Sequence, residues 1–355
     1  MLMKRNLRLF LATFLMLFGV NTVFANGDFT VDGFAYIINE DGISVSLTWK
    51  DYDQPYTGDI VVPAEVTHDG KTYTVNNIGY LAFSYVTRTV NGSWPVITNN
   101  PEVTSVTLPN SITSIDTGGF LKCNKLKNIT IPETVLVIEQ SAFAGCSSLE
   151  EITIPESVYI IESHAFSGCT KLKTVRISDG LGYIGSMAFN GCKNLESVYC
   201  YSTKEIKAYK DVFDGCVNAT LYGLDDWMAE FSETDGWNQI ASKVSLMPIT
   251  VACGNGGSMQ VNGMSFEETI GKAYVSKDVE TTISFTLSKG QQLSMVKLNG
   301  EDITNEVVDN VLTTSIPADA TLLVTFKNQG YDINQDGEVT VADVVSLVNY
   351  ILSIE

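Results

Sequence analysis

The chain has 355 residues and a formal net charge of −19, with 41 acidic and 22 basic side chains. Because so acidic a protein repels phosphate backbones, we exclude nucleic-acid binding. Hydrophobic residues make up 45% and charged residues 18% of the chain, which excludes a disordered acidic polymer and suggests two or three folded domains.

The N-terminal segment, residues 1–25, is predicted to be a cleaved export signal. A positive start, an apolar run and a small-residue cleavage site follow one another. The run is short for a transmembrane helix and no later stretch is apolar for long enough, so we predict no membrane span in the mature chain; the alternative is an uncleaved anchor. The features are Lys4, Arg5 and Arg8, the run 9–20, and Val23-Phe24-Ala25.

The next segment predicts the N-terminal cap of a stacked array. Residues 34–49 alternate apolar and polar side chains around Asp41-Gly42, and a second Asp-Gly turn stands at Asp69-Gly70, which is typical of β-hairpins. A cap is needed because the first unit of a stacked array would otherwise expose its apolar edge.

A 23-residue repeat occupies the middle of the chain, and one unit reads AFAGCSSLEEITIPESVYIIESH. Apolar positions alternate before the proline, as in a short half-buried strand, and proline ends the strand because it lacks an N–H donor. One unit cannot bury its own apolar face, so the units must stack. We therefore predict a mainly β solenoid over residues 26–245, ending in a cap around Trp227, Phe231 and Trp237. The in-phase aromatic residues are Phe120, Phe143, Phe166, Phe189 and Phe213.

Five cysteines recur in the same phase. Stacked sulfur atoms could form disulfides or a metal ladder, but stacked side chains point the same way and no C-x-x-C pair is present. We predict free, buried thiols that act as small apolar filler. The sequence assigns no role to Cys200 and Cys253. The repeat cysteines are Cys123, Cys146, Cys169, Cys192 and Cys216.

The in-phase Phe-x-Gly-Cys-x-x-Leu motif resembles the BspA-like leucine-rich repeats of bacterial surface and secreted proteins. The resemblance covers roughly residues 34–245. It implies adhesion or protein–protein recognition in a secreted or cell-surface protein, and it brings no catalytic residues.

The outward strand positions are the predicted binding face. Arginine and aromatic side chains dominate binding hot spots, so Arg176, Tyr199 and the inserted Trp94 are the candidate anchors. The face suits a protein or a glycan, and the alternative interpretation is a plain solvated sheet surface. Its predicted members are Thr107, Thr130, Thr153, Arg176 and Tyr199, with Trp94.

Residues 246–328 lose the repeat phase. Short alternating runs are separated by turns such as Asn262-Gly263 and Asn299-Gly300. This punctuation predicts a small all-β module, either sandwich-like or β-grasp-like, with the role of a spacer.

The last segment, residues 329–355, carries a 12-residue pattern that predicts an EF-hand-type Ca²⁺ loop followed by a helix. Carboxylate, amide and backbone oxygens suit Ca²⁺, and Gly337 allows the sharp turn. The alternative is an acidic turn without metal. The predicted ligands are Asp332, Asn334, Asp336, Glu338 through its carbonyl, Thr340 through water, and Asp343.

This last segment resembles one half of a dockerin, the module that docks enzymes of polysaccharide-degrading complexes onto cohesins. A dockerin has two such repeats and this sequence shows one. The resemblance implies a cohesin-like partner and a non-catalytic place in such a complex.

Catalysis is not predicted. The repeats, the β module and the loop account for nearly the whole chain, and no nucleophile elbow or paired-carboxylate motif is present. Three hypotheses are compared: recognition of a host or bacterial surface protein through the repeats, docking through residues 331–355 as a non-catalytic member of a polysaccharide-utilisation complex, and an enzyme, which the sequence does not favour.

Overall fold

The structure is a computed structural model that describes residues 27–51, 53–87, 96–100, 102–276 and 280–328. The predicted export signal, Trp94 and the predicted calcium loop with its helix lie outside these residues. The chain splits into two compact units, Met1–Leu221 with Ala229–Lys243, and Tyr222–Met228 with Val244–Glu355. In the described part of the chain, no helix is long and apolar enough to cross a bilayer.

The first unit contains the repeats and their N-terminal hairpins. Antiparallel pairing of β2 with β3 and of β5 with β6 confirms both predicted hairpins, and Asp69 and Gly70 have the positive φ angles, 49° and 74°, that their tight turn requires. The elements up to residue 239, of which β18 and α1 fall partly in the second unit, are β1 Phe29–Val31, β2 Phe34–Ile38, β3 Ser44–Thr48, β4 Gly58–Val61, β5 Glu65–His68, β6 Lys71–Ile78, β7 Tyr85–Thr87, β8 Val96–Thr98, β9 Val103–Thr107, β10 Ser114–Ile115, β11 Val137–Ile138, β12 Glu151–Ile154, β13 Ile160–Ile161, β14 Thr174–Ile177, β15 Tyr183–Ile184, β16 Ser197–Cys200, β17 Lys207–Ala208, β18 Thr220–Leu224, α1 Asp225–Phe231 and a 3₁₀ turn Trp237–Gln239.

The repeats form the rungs of a stack, and those with β12–β13, β14–β15 and β16–β17 each contribute strands to two parallel sheets. In the first sheet, β12, β14 and β16 pair in register, so that Thr153, Arg176 and Tyr199 lie side by side. In the second sheet, β6, β10, β11, β13, β15 and β17 pair in that order. Equivalent residues of successive repeats are therefore neighbours in space.

A column of phenylalanine rings runs through the core between the two sheets, and we call it the phenylalanine stack. Neighbouring rings have centroids 4.8–5.5 Å apart and planes within 10° of parallel. Tyr56 packs on one end and Trp237 on the other, each tilted against its neighbour. The Tyr56 hydroxyl donates to Thr48 O and the Trp237 indole N–H to Ile206 O, so both ends satisfy their polar atoms. The stack comprises Phe83, Phe120, Phe143, Phe166, Phe189 and Phe213.

The glycine of each Phe-x-Gly-Cys turn has a positive φ angle, in the left-handed region of the backbone map. Gly168 has φ 73°, and an added Cβ would meet only Gly145 atoms at 3.8 and 3.9 Å. The glycine is therefore required by backbone conformation rather than by space. Lys122 holds the equivalent position with φ 62°, at the start of the repeat array.

One expectation about the repeats is wrong. The pattern predicts a strand before every proline, but residues 126–131 adopt no regular strand. Ile129 and Ile131 are still buried and Thr130 is exposed. A backbone bond from Glu150 N to Lys127 O ties the segment to the next rung. Burial of the isoleucine side chains, more than backbone hydrogen bonding between strands, therefore holds residues 126–131 in place.

The second unit is built on a long hairpin of β19 and β20 that turns at Asn262-Gly263. Residues 250–253 of β19 pair with β25 and residues 257–261 pair with β21, so the change falls at the glycine-rich stretch 254–257. Both pairings enclose one core, which includes Val251, Met259 and Val324. The elements are β19 Ser242–Val261, β20 Met264–Ser276, β21 Glu280–Leu287, β22 Gln291–Leu298, β23 Glu301–Asp302, a 3₁₀ turn Thr304–Glu306, β24 Val311–Ser315 and β25 Thr321–Asn328.

We expect Phe166→Ala to lower the free energy of unfolding by about 3–5 kcal/mol, because it removes a fully buried ring from the middle of the stack. The measurement is urea unfolding followed by circular dichroism. Val217→Ala, at a side chain that is 85% exposed, is the control and should change the value by less than about 0.5 kcal/mol. A cost for Phe166→Ala similar to the control would contradict the role of the stack.

Candidate recognition faces of the repeat region

The first sheet presents the predicted binding face, which we call the threonine face: Thr107, Thr130, Thr153, Arg176 and Tyr199. The three threonines are exposed, whereas Arg176 and Tyr199 are partly buried. The structure brings Thr153, Arg176 and Tyr199 into one row. Thr107 pairs instead with Val61 in a separate two-stranded sheet of β4 and β9, and Thr130 lies outside any strand.

Arg176 contacts side chains on the rungs on both sides of its own. Its Nη1 lies 3.1 Å from Glu151 Oε2, and its Cζ lies 5.5 Å from the centroid of the Tyr199 ring. The Tyr199 ring in turn stacks on Tyr201 at 6.1 Å. Neighbouring rungs thus hold the guanidinium in one place, with 15% of the side chain exposed. This reduces the entropy lost when a ligand binds to it.

Val61 extends the threonine face and was missed by sequence reasoning. It pairs with Thr107 and is 69% exposed. The signal was available, since Ile60-Val61-Val62-Pro63 repeats the spacing of Ile152-Thr153-Ile154-Pro155 and places Val61 in phase with Thr153.

The second sheet presents an outward apolar surface that sequence reasoning also missed. Leu136, Tyr159 and Tyr209 are 47%, 48% and 53% exposed, although all three are large and apolar or aromatic. The sequence contains the pattern, because the two residues that precede Ile138, Ile161 and Ile184 recur in phase; Tyr209 stands apart, one residue after Ala208. We call this surface the aromatic face: Leu136, Val137, Tyr159, Ile160, Tyr183 and Tyr209.

The polar end of the same sheet contrasts with the aromatic face. On the first rungs, Asn77 Nδ2 donates to Asp116 Oδ2 at 2.9 Å and Ser114 Oγ donates to Asp116 Oδ1 at 2.7 Å. Outward side chains there bond to one another. On the rungs of β11, β13 and β15, the equivalent positions hold Val137, Ile160 and Tyr183, which are partly exposed, and on the rung of β17 the position holds Lys207.

Tyr183 marks the centre of a small cluster on the aromatic face. Its ring meets the Tyr209 ring edge-on, with centroids 6.2 Å apart. Burial raises the pKa of Tyr183, and the neighbouring Tyr209 and Glu162 raise it further. The rings and a carboxylate therefore lie close together at this end of the sheet.

The cysteine column is structural. All seven cysteines are free and buried, which confirms the prediction. Each repeat thiol donates to the carbonyl of the phenylalanine one rung earlier, as Cys146 does to Phe120 O at 3.1 Å and Cys169 to Phe143 O at 3.3 Å. Within the described residues, no group of three or more histidine, cysteine or acidic side chains is placed to hold a metal ion.

Comparison with known families agrees with this architecture. Residues 97–220 match the model described as BspA type Leucine rich repeat region, in six copies. This part of the chain is therefore a leucine-rich repeat region of the BspA type. No curated protein sequence matches the chain.

Solved structures of leucine-rich repeat proteins are also similar to the chain. They include the pneumococcal vaccine antigen PcpA (24% identity, TM-score 0.43, 56% of this chain and 50% of that chain). They also include the T. pallidum leucine-rich repeat protein TpLRR (23% identity, TM-score 0.42, 59% and 92%). A third is a leucine-rich repeat protein from Bacteroides capillosus (32% identity, TM-score 0.33, 42% and 97%). The chain spans about half the length of the PcpA chain. These TM-scores are low, so the assignment rests on the family match.

The buried thiols should make stability depend on pH. Burial raises the pKa of Cys200 from 9.0 to about 12, so the folded state retains this proton when the unfolded state has lost it. The stability contribution is complete below pH 9 and is lost as the pH rises toward 12. Between pH 8 and 10.5, we expect urea unfolding to show a loss about 2 kcal/mol larger for the wild type than for Cys200→Ala. Equal losses would contradict the burial of this thiol.

Proposed function

We propose that the chain is a non-enzymatic recognition protein of the bacterial cell surface or extracellular space, and that its repeats form a leucine-rich-repeat solenoid whose threonine face binds a partner. The observation that carries the proposal is the row Thr153, Arg176 and Tyr199, in which neighbouring rungs hold one guanidinium in a fixed position.

Three features support recognition through this row. In-register pairing places side chains of successive repeats on one flat surface. Arginine and tyrosine are the side chains that most often dominate binding energy, and a pre-positioned arginine loses little freedom on binding. BspA-type repeats are a family of interaction modules, and residues 97–220 belong to that type.

A protein partner suits this surface best, either a host protein or a bacterial surface protein. Glu151 and Arg176 provide one charge of each sign beside the neutral Thr153, so hydrogen bonding and shape, more than net charge, would select the partner. A glycan is the alternative, since tyrosine rings and threonine hydroxyls also suit sugars. Residues 1–25 support export.

We expect Arg176→Ala with Tyr199→Ala to weaken partner binding at least about 10-fold, because both anchors of the row are removed. The partner is first recovered from host or bacterial extracellular material, and its affinity for purified variants is then measured by biolayer interferometry. Lys173→Ala removes a charge from the same repeat outside the row and serves as the control. Trp94→Ala added to the double variant tests the third anchor. Unchanged binding by the triple variant would remove the threonine face from consideration.

We further propose that residues 332–343 bind Ca²⁺ and that the C-terminal segment docks onto a cohesin-like module. The spacing of Asp332, Asn334 and Asp336, followed by Gly337 and closed by Asp343, supports this proposal. It would make the chain a non-catalytic component of an extracellular polysaccharide-degrading complex. Removing residues 329–355 distinguishes the two roles, because partner binding is lost with the segment only if docking is the role.

Isothermal titration of Ca²⁺ into the chain tests the loop. We expect one site with a Kd on the order of 10⁻⁴–10⁻³ M, typical of extracellular calcium modules, and no binding by Asp332→Ala with Asp336→Ala. Glu301→Ala removes an exposed carboxylate elsewhere and should leave the affinity unchanged. Equal affinities for the wild type and the double variant would show that these residues are not the ligands.

A further inference from the structure

We propose that the aromatic face is an interface with a second copy of this chain, formed by a two-fold axis that lies along the strand direction. In this arrangement the strands of the two copies run in the same direction and their repeats stack in opposite order. Four rungs take part, those of β11, β13, β15 and β17, with the axis between β13 and β15. The interface lies on a different sheet from the threonine face and does not depend on the function proposed for that face.

The first argument is the exposed apolar surface itself. On the rungs of β11, β13 and β15, the two positions before the buried isoleucine hold five apolar or aromatic residues and Gly182. On the rung of β17, Lys207 takes the outward register position and Tyr209 supplies the aromatic ring; Leu136, Tyr159 and Tyr209 are each about half exposed. Contiguous exposed apolar residues on a soluble chain mark interaction sites, whereas single ones do not. The polar rungs of β6 and β10 on the same sheet show that the fold itself does not require apolar residues here.

The second argument is shape. The register pairs β13 with β15, so that Gly182 occupies on its rung the position that Tyr159 occupies on the preceding rung. Gly182 is exposed, and an added Cβ would meet only Tyr159 O at 3.7 Å. The glycine therefore leaves a hollow beside a protruding ring. The two-fold axis places the Tyr159 ring of each copy over the partner's Gly182, and symmetry makes this contact twice.

The third argument is charge. Glu139 and Glu162 follow the buried isoleucine on the first two rungs, whereas the last rung carries the exposed Lys204, Lys207 and Lys210 with one exposed acidic residue, Glu205. Reversing the order of the rungs sets acidic ends against basic ends. Glu139 then faces the partner's Lys210, which lies one residue beyond the equivalent strand position. An axis along the stack would instead keep like rungs together and leave the charges unpaired.

A second copy fits better than an unrelated partner because the surface is complementary to itself. A two-fold interface must match each residue with its symmetry mate, and here a projection matches a hollow and an acidic end matches a basic end. An unrelated partner would need its own hollow, projection and charges at matching places. A second copy of this chain provides all of them.

Sedimentation equilibrium of the full chain, with and without a calcium chelator, tests the proposal. We expect a dimer in both conditions, and we expect Tyr159→Ser and Gly182→Gln each to raise the dimer Kd at least about 10-fold. Gly182→Gln fills the hollow without straining the monomer, since its Cβ would be in ordinary contact. Thermal unfolding by circular dichroism verifies that each variant is folded. Val217→Gln, at an exposed apolar position outside the face, is the matched control.

A charge swap tests the orientation. Lys210→Glu should weaken the dimer, and Lys210→Glu combined with Glu139→Lys should restore it, because the pair then has reversed signs. A chain that stays monomeric, or a dimer that Tyr159→Ser and Gly182→Gln leave intact, would overturn the proposal. A swap that weakens the dimer further would overturn the two-fold arrangement. Both results would leave the threonine face and its partner binding unaffected.

Discussion

The architecture depends on the stacking of one phenylalanine ring per repeat. Rings 4.8–5.5 Å apart match the spacing of paired strands, so aromatic packing and backbone pairing can be satisfied together. If a repeat gained or lost residues without a compensating bulge, its ring would leave the column. Extra residues are accepted where they form turns or loops outside the column, since Phe83 and Phe120 stack across a spacing of 37 residues and Phe189 and Phe213 across a spacing of 24.

Polar atoms inside the stack follow the same period. Each cysteine thiol donates to a phenylalanine carbonyl of the preceding rung, and hydroxyls on the other side of the core do the same: Thr134 Oγ1 donates to Ile112 O and Ser157 Oγ to Val135 O, both at 2.7 Å. Buried carbonyls that face no strand neighbour are satisfied in this way. On the next rung, Gly180 stands at the position equivalent to Thr134 and Ser157, and an added Cβ there would lie 1.5 Å from Glu156 O. There the chain approaches its neighbour too closely for any side chain.

Outward positions do not repeat the same residue types from one repeat to the next, so they can differ along the array. The threonine face changes from small hydroxyls to Arg176 and Tyr199 along the array, and the second sheet changes from bonded polar groups to the aromatic face. A rigid stack holds both surfaces flat and in register. One chain can therefore present two different surfaces, and we propose that one binds a foreign partner and the other a second copy of the chain.

The sequence alone determined what must be buried. The Phe and Cys columns, the hairpin turns and the free thiols follow from a 23-residue period and from elementary burial, because an inward residue has the same neighbours in every repeat. Only the tertiary structure decided how outward residues meet. It separated Thr107 and Thr130 from the row of Arg176, left residues 126–131 without a strand, and set Tyr159 beside Gly182. The physical reason is that solvent-facing side chains lose no burial energy when they vary, so their contacts depend on strand register and local bonding, which no single repeat encodes.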